Sequence, residues 1–448
     1  MRDGEGFGIL LPRKRGIFFT CGGLCETEAD PKPHCIGEKM TYATELVCRN
    51  CGKTFPLEAR SVCDVCGSPL DVNYNYEALS KGFTKKSLQK REPSMWRYAE
   101  LLPASPPEGG SRWTGFTPLV RAKNLGKALG LDRLYLKNDT VNYPTLSFKD
   151  RVVSVSLAKA LDFGYRVVGC ASTGNLANAV AAQAAAAGLE SVVLVPEDLE
   201  PVKILASAVY KPRVIKVRGL FDSIARLCKE ISRQKDDWTF LNIDLRPYYA
   251  EGSKTMGYEI LEQLNWQVPQ NVVVPMAGGS LLSKIYKSFD EMVRLGWIQA
   301  NKARFFGAQP TGCSPIVTAV KENLPEIRPV LQPQTVAKSL AIGNPLGGFT
   351  AVKTIRRSGG WAEEVTDEEV IAGIQLLAET EGIFTETAGG VTVGVLKKLV
   401  EQGRIHSDEL TVAAITGQGL KTIEVLPESD YPMPTIQADY SDFEKILH

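Results

Sequence analysis

Pro144-Thr145-Leu146-Ser147-Phe148-Lys149-Asp150-Arg151 is the stretch that decides how the chain is read. It sets a lysine at the start of residues 148–160, whose apolar spacing is that of a helix. Downstream, Ala171-Ser172-Thr173-Gly174-Asn175 follows the apolar run 167–170 and precedes an alanine-rich helix over 176–187. A turn of small hydroxyl and amide residues at a helix start presents free backbone N–H groups and suits an anion. A lysine near such a turn is a candidate for Schiff-base chemistry if its surroundings lower its pKa. A lone lysine is more often a solvated cap residue, so the neighbouring loops must decide between the two readings.

Working outward, residues 134–137, 167–170, 191–196, 213–217, 238–243, 271–276, 305–309 and 411–415 read as short apolar strands. Helical patterns fall between them, at 201–210, 221–231, 253–264 and 280–295. Thr366-Asp367-Glu368-Glu369 is a capping box that opens a helix running to about residue 379. This alternation predicts an α/β fold, a mainly parallel sheet with helices on both faces. Ligands in such folds bind beyond the carboxyl ends of the strands. Two further loops fall there, Ala277-Gly278-Gly279-Ser280-Leu281 and Thr416-Gly417-Gln418-Gly419. Glycines ahead of a helix suit a phosphate. The dinucleotide fingerprint and a Walker lysine are both missing, which disfavours nucleotide binding.

The 448 residues suffice for two or three domains, and 44% hydrophobic with 23% charged residues is an ordinary globular composition. A net charge of +1 points to neither nucleic acid nor a membrane surface. With no apolar run of about 18 residues and no secretory pattern, the chain reads as a soluble cytoplasmic protein. Residues 1–39 carry Cys21, Cys25, His34 and Cys35 at intervals that fit no pair of metal knuckles, and read as a disordered tail. Met40 opens more regular sequence and is a candidate start of the natural chain. Cys48-x-x-Cys51 and Cys63-x-x-Cys66 follow, eleven residues apart, each pair trailed by glycine. Two such knuckles make a closed, structural four-thiolate site, predicted to hold Zn²⁺ in a two-stranded ribbon over residues 40–72. Residues 73–115, with Pro103, Pro106, Pro107, Gly109 and Gly110 clustered, read as a connector.

Taken together, the lysine stretch, Ser172-Thr173-Gly174-Asn175, the 277–281 loop and Thr416-Gly417-Gln418-Gly419-Leu420-Lys421 have the order and spacing found in threonine synthases. The chain resembles that family over roughly residues 40–435. The run Arg246-Pro247-Tyr248-Tyr249-Ala250-Glu251-Gly252-Ser253-Lys254-Thr255 looks like the plant and cyanobacterial branch. The resemblance implies a pyridoxal-phosphate (PLP) enzyme of fold type II, the tryptophan-synthase-β-like fold. It would have two subdomains within 73–448, the smaller at about 150–245. Lys149 would carry the cofactor and move protons. Ala277, Gly278, Gly279, Ser280 and Leu281 would hold the cofactor phosphate. Asn175 would face the ring's phenolic oxygen and Thr416 its nitrogen. Ser172 and Thr173 would take the substrate carboxylate, and Asn242, Arg246 and Lys254 its phosphate. The reaction implied is O-phospho-L-homoserine and water to L-threonine and phosphate, in a homodimer. Alternatives are a threonine or serine dehydratase, a cysteate-forming lyase, or a non-catalytic zinc-ribbon binding protein.

Overall fold

A computed structural model describes residues 35–36, 39–107, 110–172, 174–197, 201–218, 221–427, 431 and 433–446. Thr173 and the candidate ligands Cys21, Cys25 and His34 lie outside the described residues. Strand β1 (Cys35–Ile36) pairs antiparallel with β2 (Lys39–Met40). Strands β3 (Ala43–Cys48), β4 (Thr54–Phe55) and β5 (Leu70–Tyr74) make an antiparallel sheet in the order β4-β3-β5. The cysteine module therefore has three strands where the sequence reading expected two. Leu70, Val72 and Tyr74 alternate along β5 and are buried, so the pairing with β3 gives their apolar face a partner. Leu46, Cys63 and Tyr74 share one core cluster with Val152, Tyr248 and Phe289. The module is packed onto the rest of the chain.

The other strands are β6 (Leu119–Arg121), β7 (Leu134–Asn138), β8 (Val167–Ala171), β9 (Glu190–Pro196), β10 (Arg213–Val217), β11 (Trp238–Phe240), β12 (Asn271–Pro275), β13 (Arg304–Pro310), β14 (Ala362–Val365) and β15 (Thr411–Ile415). They form a four-stranded sheet, β10-β9-β8-β11, and a six-stranded sheet, β14-β13-β12-β15-β7-β6. Every neighbouring pair is parallel except β6 with β7. Strands β8, β12 and β15 are buried along their whole length, as strands covered by helices on both faces must be.

Two expectations shift. The strand expected over 238–243 stops at Phe240, because the Phe240 N–H turns to the Asp244 carboxylate (2.7 Å), which also accepts from Ser232 Oγ (2.6 Å). The connector at 73–115 is largely packed structure. It holds the helices Tyr76–Gly82 and Lys85–Leu88 and a buried turn at Met95–Leu101, where Trp96 and Tyr98 are buried. The capping box stands as read: Thr366 and Glu369 cap the helix Asp367–Glu381 reciprocally.

Candidate active site

Lys149 is the first residue of the helix Lys149–Asp162, which follows the loop after β7. Two neighbours in the sequence fix it. Asp150 Oδ1 accepts from Thr145 Oγ1 (2.8 Å), and its Oδ2 from the N–H of Thr145 (3.0 Å). Arg151 is fully buried, donating to Asp139 at 2.7 and 2.8 Å and to Glu259 Oε2 at 2.8 Å. Buried Lys137 adds a 2.7 Å ion pair to Glu259. Every charge in this cluster has an opposite partner, which makes burial tolerable and leaves the helix little freedom to rotate.

Lys149 itself is half-buried, its ammonium 4.7 Å from the centre of the Phe148 ring. Loss of water lowers it to about 8; the Glu386 carboxylate pulls it up and the Arg246 guanidinium pushes it down. A lysine at that value reaches its neutral, nucleophilic form near physiological pH while keeping an opening to solvent.

The loops after the parallel strands converge around it. Phe148 N–H donates to the Thr416 carbonyl (2.8 Å), and Ser147 bridges Gly417, so the lysine loop lies on the loop after β15. Strand β12 pairs with β15 in register, Asn271 with Thr411 and Val273 with Ala413, so the 277–281 loop emerges beside Thr416. Gly279 has φ +77° and caps the helix Ser280–Arg294. On the smaller sheet, β8 and β11 pair in parallel, Trp238 with Val167 and Phe240 with Gly169, so the segments that carry Ser172 and Asn242 leave the sheet at the same end. Arg246 opens the next helix, Arg246–Glu251.

Sequence reasoning missed two residues between the sheets. Glu386 accepts from Asn175 Nδ2 (2.6 Å) and, more loosely, from Thr416 Oγ1 (3.5 Å). Burial raises its pKa. Lys421 donates to Asn175 Oδ1 (2.8 Å) and to the Thr145 carbonyl, and burial lowers its ammonium. Glu386 had a signal, an acid at a helix start followed by Gly389 and Gly390; Lys421 ends a motif already noticed.

One assignment is corrected. Lys254 is fully buried away from these loops. Its ammonium is held by Glu251 (2.6 Å), Glu291 (3.0 Å) and the Leu101 carbonyl (2.9 Å), with Tyr74's ring centre 4.2 Å away. A lysine with every proton engaged in the core is not open to a substrate. Arg246 is the opposite case. Burial and Arg49 lower its pKa, and no acid among the described residues pairs with it.

A lysine of lowered pKa at a helix start, with a glycine loop that opens a second helix on the neighbouring strand, suits a cofactor carried covalently. The family model for pyridoxal-phosphate dependent enzymes matches residues 111–417. Threonine synthase of Methanocaldococcus jannaschii is 39% identical over 402 residues, 89% of this chain and 98% of that one. The chain belongs to the threonine synthase family of PLP-dependent enzymes. Threonine synthase of Methanosarcina acetivorans is 39% identical over 84% of this chain and 92% of its own. Among solved structures, threonine deaminase isoform 2 of Solanum lycopersicum, in its processed form, aligns with TM-score 0.58 at 22% identity, covering 69% of this chain and 86% of that one. That likeness shows the fold, PLP fold type II.

The residues fit PLP. A Cβ at Gly278 would meet nothing within 4 Å, so space is open above the cradle. Ser147 Oγ and Asn242 Oδ1 are buried without hydrogen-bond partners, as groups awaiting a ligand are.

The four cysteines of the knuckles form a second centre. All four sulfurs lie within 4.8 Å of one another, with Cys48–Cys66 at 3.4 Å, Cys51–Cys63 at 3.6 Å and Cys51–Cys66 at 3.7 Å. A tetrahedron of metal–sulfur bonds of about 2.3 Å has edges of about 3.8 Å. Gly52 (φ +74°) and Gly67 (φ +67°) turn each knuckle.

Proposed function

We propose that this protein is a threonine synthase converting O-phospho-L-homoserine and water to L-threonine and phosphate, with Lys149 as the residue that holds PLP. What carries the reading is the half-buried Lys149, whose ammonium feels the charge of Arg246, an arginine with no acid partner among the described residues, after the strands of the smaller sheet. The backbone N–H groups of residues 277–281 would hold the cofactor phosphate at the start of the helix Ser280–Arg294, and Asn175 and Thr416 would face opposite edges of the ring. When bound, PLP supplies an electron sink that makes the protons on the substrate's α and β carbons removable.

The chain's own groups do the rest. Lys149 takes the α and then the β proton and returns protons as phosphate leaves the γ carbon and water adds at the β carbon. Ser172 and Thr173 would bind the substrate carboxylate, and Asn242 and Arg246 its phosphate. Thr416 would offer the ring nitrogen a hydroxyl rather than an acid, which would leave that nitrogen mostly unprotonated and moderate the sink. A dehydratase of the same fold has the lysine and the cradle but no need of an unpaired arginine, and this favours a phosphorylated substrate.

A structural Zn²⁺ is assigned to Cys48, Cys51, Cys63 and Cys66 on the sulfur spacing. A homodimer is assigned on exposed Val141, Tyr143, Leu146, Leu420 and Ile423, which lie on the joined rims of the 141–146 and 418–423 loops. A cytoplasmic setting is in keeping with free Cys170, Cys228 and Cys313, and no helix among the described residues is long and apolar enough to cross a membrane.

The test is release of phosphate together with threonine from O-phosphohomoserine, by wild type and by Lys149→Ala. Both products are expected from wild type and neither from the variant. Turnover of phosphoserine or threonine but not of O-phosphohomoserine would overturn the substrate and keep the cofactor.

A further inference from the structure

We propose that Arg49, carried by the first cysteine knuckle, is a second cation of the substrate-phosphate subsite, acting beside Arg246. The inference rests on the phosphate-ester reading above and deepens it.

Arg49 follows Cys48, whose sulfur accepts the N–H groups of Asn50 and Cys51 (both 3.5 Å), while its own N–H is held by the Pro69 carbonyl (3.1 Å). Its side chain is 11% exposed. Nη2 donates to Asp71 Oδ1 (2.6 Å), but that same oxygen also takes Lys284 Nζ at 2.6 Å. One carboxylate oxygen is thus shared between two cations. Arg49 Nε is buried with no hydrogen-bond partner among the described residues. An orphaned guanidinium N–H in a buried setting is costly unless something arrives to accept it.

The module that carries Arg49 sits on the helix headed by Arg246. Tyr248 Oη donates to the Glu58 carbonyl (2.9 Å), Tyr74 Oη to Glu251 Oε2 (2.7 Å), and Lys284 links Asp71 to Glu251. Arg49 acts electrostatically on Arg246, and Arg246 on Lys149. These three positive groups lead from the knuckle to the reactive amine. No acid among the described residues faces Arg246; its polar neighbour is Tyr249, whose ionisation burial suppresses. A run of under-neutralised cations is unfavourable by itself and favourable around a dianion. A phosphate monoester brings two charges and three acceptor oxygens, more than one arginine fork can satisfy. On this account the cysteine module is part of substrate recognition as well as a prop.

The test measures KM and kcat for O-phosphohomoserine and the affinity for inorganic phosphate by calorimetry. It compares the wild-type holoenzyme with Arg49→Met, Arg49→Lys and Arg246→Met, with metal content and melting temperature followed in each. Arg49→Met is expected to raise KM and weaken phosphate binding roughly tenfold or more, as loss of a charge-assisted hydrogen bond does, with a smaller change in kcat and metal retained. Arg49→Lys is expected to recover part of the loss. Wild-type KM and phosphate affinity in Arg49→Met, with both lost in Arg246→Met, would overturn the proposal and leave Arg49 as a partner of Asp71 only. Should Arg49→Met not fold, Arg49→Gln gives the same comparison. If wild type itself neither binds phosphate nor uses O-phosphohomoserine, the substrate reading falls first and this proposal with it.

Discussion

A lysine that must attack a carbonyl has to shed a proton without losing its opening to substrate. Lys149 meets both needs by standing half-buried at a helix start, where its ammonium falls to about 8. About a tenth of the amine is then neutral at pH 7, against well under a thousandth for an ordinary lysine. The rate at which the apo-chain takes up PLP, followed by visible absorbance, should therefore rise with pH to a midpoint near about 8. Glu386 holds the proton on, so Glu386→Gln should move that midpoint down and speed uptake at pH 7. An unchanged midpoint would show that Glu386 does not act on Lys149. The lysine, Asn175, Thr416 and Arg246 stood out in the sequence as candidates because they lie in or beside short unusual loops after apolar strands. Glu386 was not, since an acid at a helix start is ordinary until the fold brings Asn175 to it. Lys254 misled for the converse reason. Its partners Glu251 and Glu291 lie on two different helices, and only packing reveals that it is spent.

At the scale of the element, the cradle loop separates backbone shape from ligand space. Gly279 holds φ +77°, and a Cβ there would stand 2.5 Å from the Ala351 Cβ, so the loop or its neighbour helix must move. A Cβ at Gly278 would enter open space. Gly279→Ala should cost about 1–2 kcal/mol from the left-handed backbone alone, with more from the clash, and lower the melting temperature of the apo-chain. Gly278→Ala should leave that melting temperature nearly unchanged and weaken PLP loading, because the new methyl fills the space above the cradle. Equal effects on stability would refute the division. The helix that bears Lys149 is set by burial of another kind. Replacing Arg151 with Met leaves the Asp139 and Glu259 carboxylates buried and short of a partner, a loss of about 3–5 kcal/mol. A melt of the purified apo-variant checks it, and a loss under 1 kcal/mol would mean the cluster is not holding the helix. The strands were legible as wholly apolar runs, as strands covered on both faces must be. The third strand of the cysteine module was not, although Leu70, Val72 and Tyr74 alternate with polar residues. So short an alternation, flanked by polar residues and turns, shows its buried face only once β3 lies beside it.

Over the whole molecule, the cysteine module is joined to the helices that follow β11 and β12 by buried charge as well as by apolar contact. Asp71 from the cysteine module, Glu251 and Glu291 meet Arg49, Lys254, Lys284 and Lys287 in one cluster. Its cations hold Asp71 and Glu251 below the ordinary carboxylate range despite burial, which by itself would raise them. A carboxylate with a lowered folded-state pKa stabilises the fold above its unfolded value, and that contribution is lost as pH falls toward the lowered one. The joint between the module and these helices should therefore weaken in acid, which melts of the chain at falling pH would show as a falling melting temperature. Removal of the proposed Zn²⁺ from the knuckles would attack the same joint from the other side, since four thiols without an ion would repack and loosen Arg49 and the β3–β5 sheet. Chelation under reducing conditions is expected to lower the melting temperature by roughly 3 °C, as a loss of about 3 kcal/mol does in a chain of 448 residues. Cys63→Ser, which removes a buried ligand, should reproduce the shift and abolish its dependence on added Zn²⁺. Because the module rests on the helix headed by Arg246, the metal-free chain should also lose affinity for phosphate while Lys149 still takes up PLP. A chelated chain that melts and binds phosphate as before would show the cysteines to be idle passengers.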